Sequence, residues 1–180
     1  MAENIVFEAA HKFVEKWEGG FCNDAADPGG ATKYGVSLRF LRSVGYDIDG
    51  DGDIDIDDVK AVTKAKGKEI FRKHFWPADF EKLSGSHPRL AFAAYDCAVN
   101  MGIGWARRLV QRAVGVSPDG IWGPKTWGAI KEAPDFIGVC NMIEFRKARY
   151  VELTKRNPSL KVFMKGWMNR VNALLVEVAK

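Results

Sequence analysis

The segment Trp17-Glu18-Gly19-Gly20-Phe21 is followed by Asp27-Pro28-Gly29-Gly30-Ala31-Thr32, so a helical pattern gives way here to a run of turn-forming residues. Upstream, apolar residues recur every three or four positions at Val6, Ala10, Phe13 and Trp17. This period predicts an amphipathic helix with one buried stripe. The glycine pair predicts the helix end, because glycine readily adopts the left-handed conformation of a C-cap. Glu18 is therefore expected in the last helical turn.

Helical periodicity continues along most of the remaining chain. Helices are expected over residues 37–44, 58–75, 89–101, 105–114, 124–130, 135–156 and 159–178. Asp57 or Asp58 is the expected N-cap of the helix over 58–75, and Ser159 is the expected N-cap of the last helix. Residues 31–36 are expected to form a short strand or loop. The fold class is therefore mainly α, and a cluster of Ser, Gly and Pro near residues 84–88 predicts two lobes, 1–88 and 89–180, packed together.

The composition indicates a globular protein made in a reducing compartment. The chain has 180 residues, of which 47% are hydrophobic, so it can bury a core. Its three cysteines, at positions 22, 97 and 140, show neither zinc-ligand nor disulfide-scaffold spacing. Charged residues interrupt the N-terminal 20 residues, which argues against a signal peptide. The net charge is +4, with Arg and Lys concentrated after Leu90, which favours an anionic polymer as partner.

Glu18 is the candidate general acid. Unpaired carbonyls at a helix end and apolar neighbours both disfavour a charged carboxylate, so both raise its pKa, as glycosidic cleavage requires. Asp27 and Thr32 could hold a water for attack on the sugar, which would favour inversion. On position alone the alternatives stay open: Glu18 as a solvated helix-end residue, Asp27 as a turn residue and Thr32 as a strand residue.

Several motifs in order resemble the N-acetylmuramidases of glycoside hydrolase family 108, whose signature is EGGY followed by a DPGGAT-type stretch. They are Glu18-Gly19-Gly20-Phe21, Asn23-Asp24, Asp27-Pro28-Gly29-Gly30-Ala31-Thr32 and Tyr34-Gly35. Phe21 replaces the commoner tyrosine and keeps the aromatic ring. The resemblance continues through Phe75-Trp76-Pro77, through Asp96 to Gly102, and to Gly166-Trp167.

The resemblance implies a lysozyme-like helical fold, with a small loop or strand region near the active site and a helical, peptidoglycan-binding second lobe. It implies Glu18 as the catalytic acid. The order Glu, Asp, Thr is also similar to that of T4-type phage lysozymes, which extends the catalytic set to Asp27 and Thr32. The expected substrate-binding residues are Gly19, Gly20, Phe21, Tyr34 and Asn100.

The expected partner is the glycan strand of peptidoglycan, cleaved between N-acetylmuramic acid and N-acetylglucosamine. A prophage or phage endolysin of this type would be made in the cytoplasm without a signal peptide and would reach the wall after holin-type release. We expect a monomer with no nucleic-acid partner and no stable membrane association. The alternatives are a lytic transglycosylase that uses the same glutamate, a non-catalytic calcium-dependent wall-binding or secretion factor, and, on basic charge alone, a nucleic-acid binder.

A second candidate site is the acidic run from Asp47 to Asp58. Counted from Asp47, it has carboxylates at positions one, three, five, nine and twelve, glycine at six and an aliphatic residue at eight, as in an EF-hand loop. The expected Ca²⁺ ligands are Asp47, Asp49, Asp51, Asp53 through its backbone carbonyl, Asp55 and Asp58. Aspartate replaces the usual final glutamate. The ion is expected to be structural, and the alternative is a solvated acidic loop.

Overall fold

The computed structural model describes residues 4–17 and 31–180, and over these residues the chain is mainly α, as the sequence predicts. The helices are α1 (Ile5–Glu15), α2 (Leu38–Val44), α3 (Ile56–Ala61), α4 (Lys64–Phe75), α5 (Ala78–Ser86), α6 (Pro88–Met101), α7 (Ile103–Ala113), α8 (Pro124–Glu132), α9 (Asp135–Arg156) and α10 (Lys161–Val178). Strands β1 (Thr32–Lys33) and β2 (Val36–Ser37) form an antiparallel hairpin. Among the described helices, none is both long and apolar enough to cross a membrane.

The chain divides into two compact units. The larger unit joins the start of α1, as far as Ala10, to Phe75–Lys180, and the smaller unit is His11–His74. At the centre of the larger unit, every side chain of α6 from Leu90 to Ala98 is buried. Helices α5, α7, α9 and α10 pack around it. Its four alanines in this stretch allow close approach of the neighbouring helices, as expected for a helix that is apolar on nearly all sides.

The smaller unit contains the hairpin, helices α2 to α4 and the acidic loop. The hairpin turns at Tyr34 and Gly35, with φ angles of 49° and 76°, and two consecutive positive φ angles fit a tight two-residue turn. Ser37 caps α2 by accepting a hydrogen bond from the Phe40 amide, at 3.2 Å. The predicted helix over 37–44 is therefore confirmed.

Three local predictions were wrong. The expected helix over 58–75 is two helices, because Val62 leaves the helical conformation (ψ 119°) and its side chain is buried instead. Asp55, and not Asp57 or Asp58, is the N-cap of α3. Asn157, and not Ser159, supplies the capping side chain before α10, through a short 3₁₀ helix.

The buried stripe of α1 also differs from the predicted one. Phe7, Ala10, Phe13 and Val14 are buried, whereas Trp17 is 37% exposed and Val6 is half-buried. Both stripes follow helical spacing, so the period alone did not fix the angle of the buried face. Helix α5, which was not predicted from the sequence, packs on α6 in the larger unit.

Candidate functional site

The predicted acid lies beyond the end of α1. Glu18, Gly19, Gly20, Phe21 and Asp27 lie outside the described residues. Helix α1 ends at Glu15, and the last described turn is closed by hydrogen bonds from the Lys16 amide to the Phe13 carbonyl and from the Trp17 amide to the Val14 carbonyl, at 3.2 and 2.9 Å. Helix α1 therefore ends three positions before Glu18 in the sequence, and the expected place of Glu18 in the last helical turn falls outside the described residues.

The described members of the predicted site fall in both units. Thr32 and Tyr34 are half-buried in the hairpin of the smaller unit, and Asn100 is half-buried near the end of α6 in the larger unit. The Lys33 ammonium lies 5.6 Å from the centroid of the Tyr34 ring and also donates to the Lys60 carbonyl of α3. The hydrogen bond to Lys60 ties the hairpin to α3.

Asn100 ends a buried hydrogen-bond chain that the sequence did not reveal. The Tyr150 hydroxyl donates to Asn100 Oδ1 at 2.6 Å and accepts from Arg146 Nε at 2.8 Å. Arg146 Nη1 and Arg170 Nε donate to the two oxygens of Asp96, at 2.5 and 2.8 Å. Burial opposes the charge of Arg146, but the Asp96 carboxylate outweighs it and raises the pKa of Arg146.

The acidic loop brings most of its predicted ligands together in the smaller unit. Carboxylate oxygens of Asp47, Asp49 and Asp58 lie within 4.8 Å of one another, as do those of Asp53, Asp55 and Asp58. Asp51 belongs to neither group. Elsewhere in residues 4–17 and 31–180, His, Cys, Asp and Glu form no comparable group of three. Gly52, at position six, has a φ of 100°, a conformation that requires glycine.

Asp58 organises this loop. Only 1% of its surface is exposed, and it accepts backbone hydrogen bonds from Ile48 at 2.5 Å and from Asp55 at 2.8 Å. Burial alone would raise the pKa of Asp58, but these hydrogen bonds stabilise the charged carboxylate and lower the pKa below its ordinary value. Burial and the neighbouring carboxylates, Asp51 first among them, raise the pKa of Asp49, as expected where like charges lie close together.

Cys97, Trp122 and His87 make contacts within the fold that fit structural roles. Cys97 is buried in α6, and burial raises its pKa to about 11, as suits a small core residue. Trp122 donates to the Arg107 carbonyl at 3.2 Å and its ring lies edge-on to Trp127, 5.4 Å away. The His87 ring lies between the Ser86 hydroxyl, at 2.9 Å, and the Ala133 carbonyl, at 3.0 Å.

Helices α7 and α8, expected over residues 105–114 and 124–130, are joined by a turn that Gln111 holds together. Gln111 is buried, and its amide nitrogen donates to Asp119, to the Ile121 carbonyl and to Thr126, at 2.7, 3.0 and 3.2 Å. Its amide oxygen accepts from Gly120 at 2.7 Å. One side chain thus holds the whole turn, which explains why a glutamine lies at a buried position.

Residues 11–102 match the family model described as Glycosyl hydrolase 108, and residues 105–172 match the one described as Predicted Peptidoglycan domain. The chain is also similar to a solved structure titled "Structure of Brucella abortus SagA", with 28% sequence identity and a TM-score of 0.75. That similarity covers 96% of this chain and 93% of the other. A search of curated proteins found no match. Because the first family match spans more than half of the chain, the chain belongs to the glycosyl hydrolase 108 family and is a glycoside hydrolase that acts on peptidoglycan.

Proposed function

We propose that this glycoside hydrolase is a muramidase, which hydrolyses the β-1,4 bond between N-acetylmuramic acid and N-acetylglucosamine with Glu18 as general acid. The observation that carries the proposal is the match of residues 11–102 to the family model, since this range contains the ordered motif from Glu18 to Gly35. The match of residues 105–172 to a peptidoglycan domain supports the same polymer as substrate.

In the proposed reaction, Glu18 is protonated when the glycan binds. It gives its proton to the glycosidic oxygen as the bond to the anomeric carbon breaks, which makes the departing sugar a neutral alcohol. Trp17 and Phe21 flank Glu18 in sequence, and apolar neighbours favour the protonated form that this step needs.

Water completes the reaction. Asp27 is proposed to accept a proton from this water, and Thr32 to hold it by a hydrogen bond, so that its oxygen attacks the anomeric carbon from the face opposite the leaving group. This is the inverting route of glycoside hydrolysis. A lytic transglycosylase would instead use the C6 hydroxyl of the muramyl residue and form an anhydro ring.

Mass spectrometry of digested sacculi tests the proposed bond and reaction. Hydrolysis at the muramyl side adds one water per cut, so we expect products with reducing N-acetylmuramic acid ends that borohydride converts to muramitol. If the products carried anhydromuramyl ends instead, the reaction would be lytic transglycosylation and not hydrolysis. Reducing N-acetylglucosamine ends would contradict the proposed bond specificity while leaving the chain a glycoside hydrolase.

We further propose that the acidic loop binds a structural Ca²⁺. The support is the twelve-residue pattern from Asp47 to Asp58, together with the two clusters of three aspartates that both include Asp58. Oxygen ligands from carboxylates are those that Ca²⁺ prefers. Arg42 of α2 donates to the Ile54 carbonyl at 2.8 Å, so an ordered loop would stabilise the packing of α2 and α3.

Added Ca²⁺ is expected to raise the thermal midpoint of the wild-type chain by about 5–10 °C at a concentration near 100 times the dissociation constant, since binding to the native state alone contributes about 2.7 kcal/mol there. Asp49→Asn should abolish this response. Without the ion the same variant should be no less stable than wild type, because it removes one of several repelling charges. Differential scanning calorimetry with CaCl₂ or with chelator gives both values.

The matched control is Asp57→Asn. Asp57 lies in the same loop and forms an exposed ion pair with Lys60, but it stands at position eleven, which supplies no ligand in an EF-hand loop. This variant should keep the full response to Ca²⁺. An equal response to NaCl at matched ionic strength would show screening of a solvated acidic loop and would exclude a specific site.

A further inference from the structure

A pocket of about 180 Å³ opens in the larger unit, where the end of α6 and the start of α7 meet α9 and α10. We call it the Arg149 pocket. Its lining combines aromatic rings with polar groups: Asn100, Trp105, Arg149, Tyr150 and Trp167, together with a methionine and a leucine. Apolar walls with a few convergent polar groups are typical of sites for small ligands.

The buried hydrogen-bond chain determines how Asn100 faces this pocket. Because Asn100 Oδ1 accepts from the Tyr150 hydroxyl, the oxygen of the amide is occupied and its nitrogen is left with two N–H donors. Within the part of the chain that the structure describes, this nitrogen makes no hydrogen bond. Arg146 donates to the Tyr150 hydroxyl and is itself held by Asp96, so this hydroxyl is fixed in place. Asn100 therefore offers donors to a ligand.

Arg149 supplies further donors. Its guanidinium lies 4.1 Å from the centroid of the Trp105 ring, and its Nη1 donates to Glu152 at 2.7 Å. Its Nε is buried and has no hydrogen-bond partner among the described residues. A buried donor without a partner is costly, so an acceptor that reached this group would be bound favourably.

The local charge favours an anion. Glu152 pairs with both Arg149 and Arg156, so two guanidiniums share one carboxylate. The hydrogen bond from Arg149, with the charge of Arg156, lowers the pKa of Glu152, which keeps this carboxylate ionised and already satisfied. One positive charge in this trio is left unbalanced. An acidic ligand thus has an electrostatic advantage over a neutral one of the same shape.

We propose that the Arg149 pocket binds an N-acetylated sugar that carries a carboxylate. The proposal rests on the proposed function for its substrate class, since in peptidoglycan such a unit is the muramyl residue. Its carboxylate comes either from the lactyl group or from the stem peptide. The carboxylate or acetamido oxygen accepts from Arg149 and Asn100, while the apolar face of the sugar packs against the apolar lining of the pocket.

Isothermal titration calorimetry on the full chain tests the pocket with three probes: N-acetylmuramic acid, muramyl dipeptide and N-acetylglucosamine. None of them contains a β-1,4 glycosidic bond, so cleavage does not interfere. We expect at least one acidic probe to bind about tenfold more tightly than N-acetylglucosamine, as a charge-assisted hydrogen bond provides. The tighter acidic probe identifies the lactyl group or the stem peptide as the source of the carboxylate.

Two variants and one matched control localise the binding. Arg149→Gln should weaken the acidic probe about tenfold, and Asn100→Asp, which is isosteric and replaces a donor by an acceptor, should do the same. Arg156→Gln removes the same charge and also a partner of Glu152, but Arg156 is 71% exposed and does not line the pocket. The affinity of Arg156→Gln for the acidic probe should stay within twofold of the wild-type value. If Arg149→Gln proves too unstable to titrate, Asn100→Asp carries the test.

Equal losses in Arg149→Gln and Arg156→Gln would overturn the pocket in favour of general charge attraction. So would equal binding of N-acetylglucosamine and the acidic probes, or no binding of either acidic probe. These outcomes do not depend on Glu18: loss of wall clearing in Glu18→Gln with no probe binding would leave the muramidase proposal standing without this pocket. Probe binding together with unchanged clearing by Glu18→Gln would support the pocket and contradict the proposed role of Glu18.

Discussion

Glu18→Gln is expected to lower the rate at which the protein clears a turbid suspension of sacculi by about 10²–10⁴-fold, the usual contribution of a general acid. The amide has nearly the same shape as the carboxylic acid but cannot give up a proton to the leaving oxygen. Binding to sacculi should be retained, because the loss affects the chemical step. Turbidity measured over time, with pelleting of bound protein as a second readout, separates the two effects.

Glu15→Gln is the matched control for this variant. It makes the same chemical change three residues earlier, at the last residue of α1. There the Glu15 carboxylate lies 3.8 Å from His11 Nε2 and 3.8 Å from Lys64 Nζ. These partly exposed contacts contribute little, so clearing should remain near the wild-type rate. Unchanged clearing by Glu18→Gln would leave Glu18 without a catalytic role, and absence of clearing by the wild-type chain would favour the non-catalytic wall-binding alternative.

The sequence predicted those parts of the fold that depend on local patterns. Helix α6 was expected because alanine and larger apolar residues alternate at helical spacing, and α9 because Asp135 and Asn157-Pro158 mark its two ends. The break at Val62 was not predicted, since burial of one side chain outweighed the helical pattern around it. Helix ends depend on such tertiary contacts more than helix interiors do.

The two candidate sites also differ in how far they could be predicted from local sequence patterns. The acidic loop could be predicted as a candidate site because its proposed ligands lie within twelve consecutive residues, and the structure adds the central position of buried Asp58. The Arg149 pocket could not, because Asn100, Trp105, Arg149 and Trp167 come from four helices. The available signal was the spacing of Arg146, Arg149, Tyr150 and Leu153 on one face of α9, which reads equally well as a packing surface.

Asp96→Asn is expected to lower the free energy of unfolding by about 3–5 kcal/mol, because removing one partner of a buried ion pair leaves uncompensated charge in the core. Asp96 is fully buried in α6 and is the shared partner of Arg146 and Arg170, whose side chains are also buried. With asparagine there, Arg146 and Arg170 would both lose the carboxylate that they share. Since single domains are stable by only about 5–15 kcal/mol, the variant should be close to unfolding. Urea denaturation followed by circular dichroism measures the change.

Asp79→Asn shows whether burial is the cause. Asp79 also accepts from an arginine, Arg107 Nε at 2.6 Å, but both side chains are partly exposed, so water can solvate the cation that remains. The expected loss is about 1 kcal/mol or less. Equal losses for the two variants would mean that the buried cluster is no more costly to break than a surface pair. A large loss for Asp96→Asn alone would fit a cluster that supports Tyr150 and, through it, the amide of Asn100 in the Arg149 pocket.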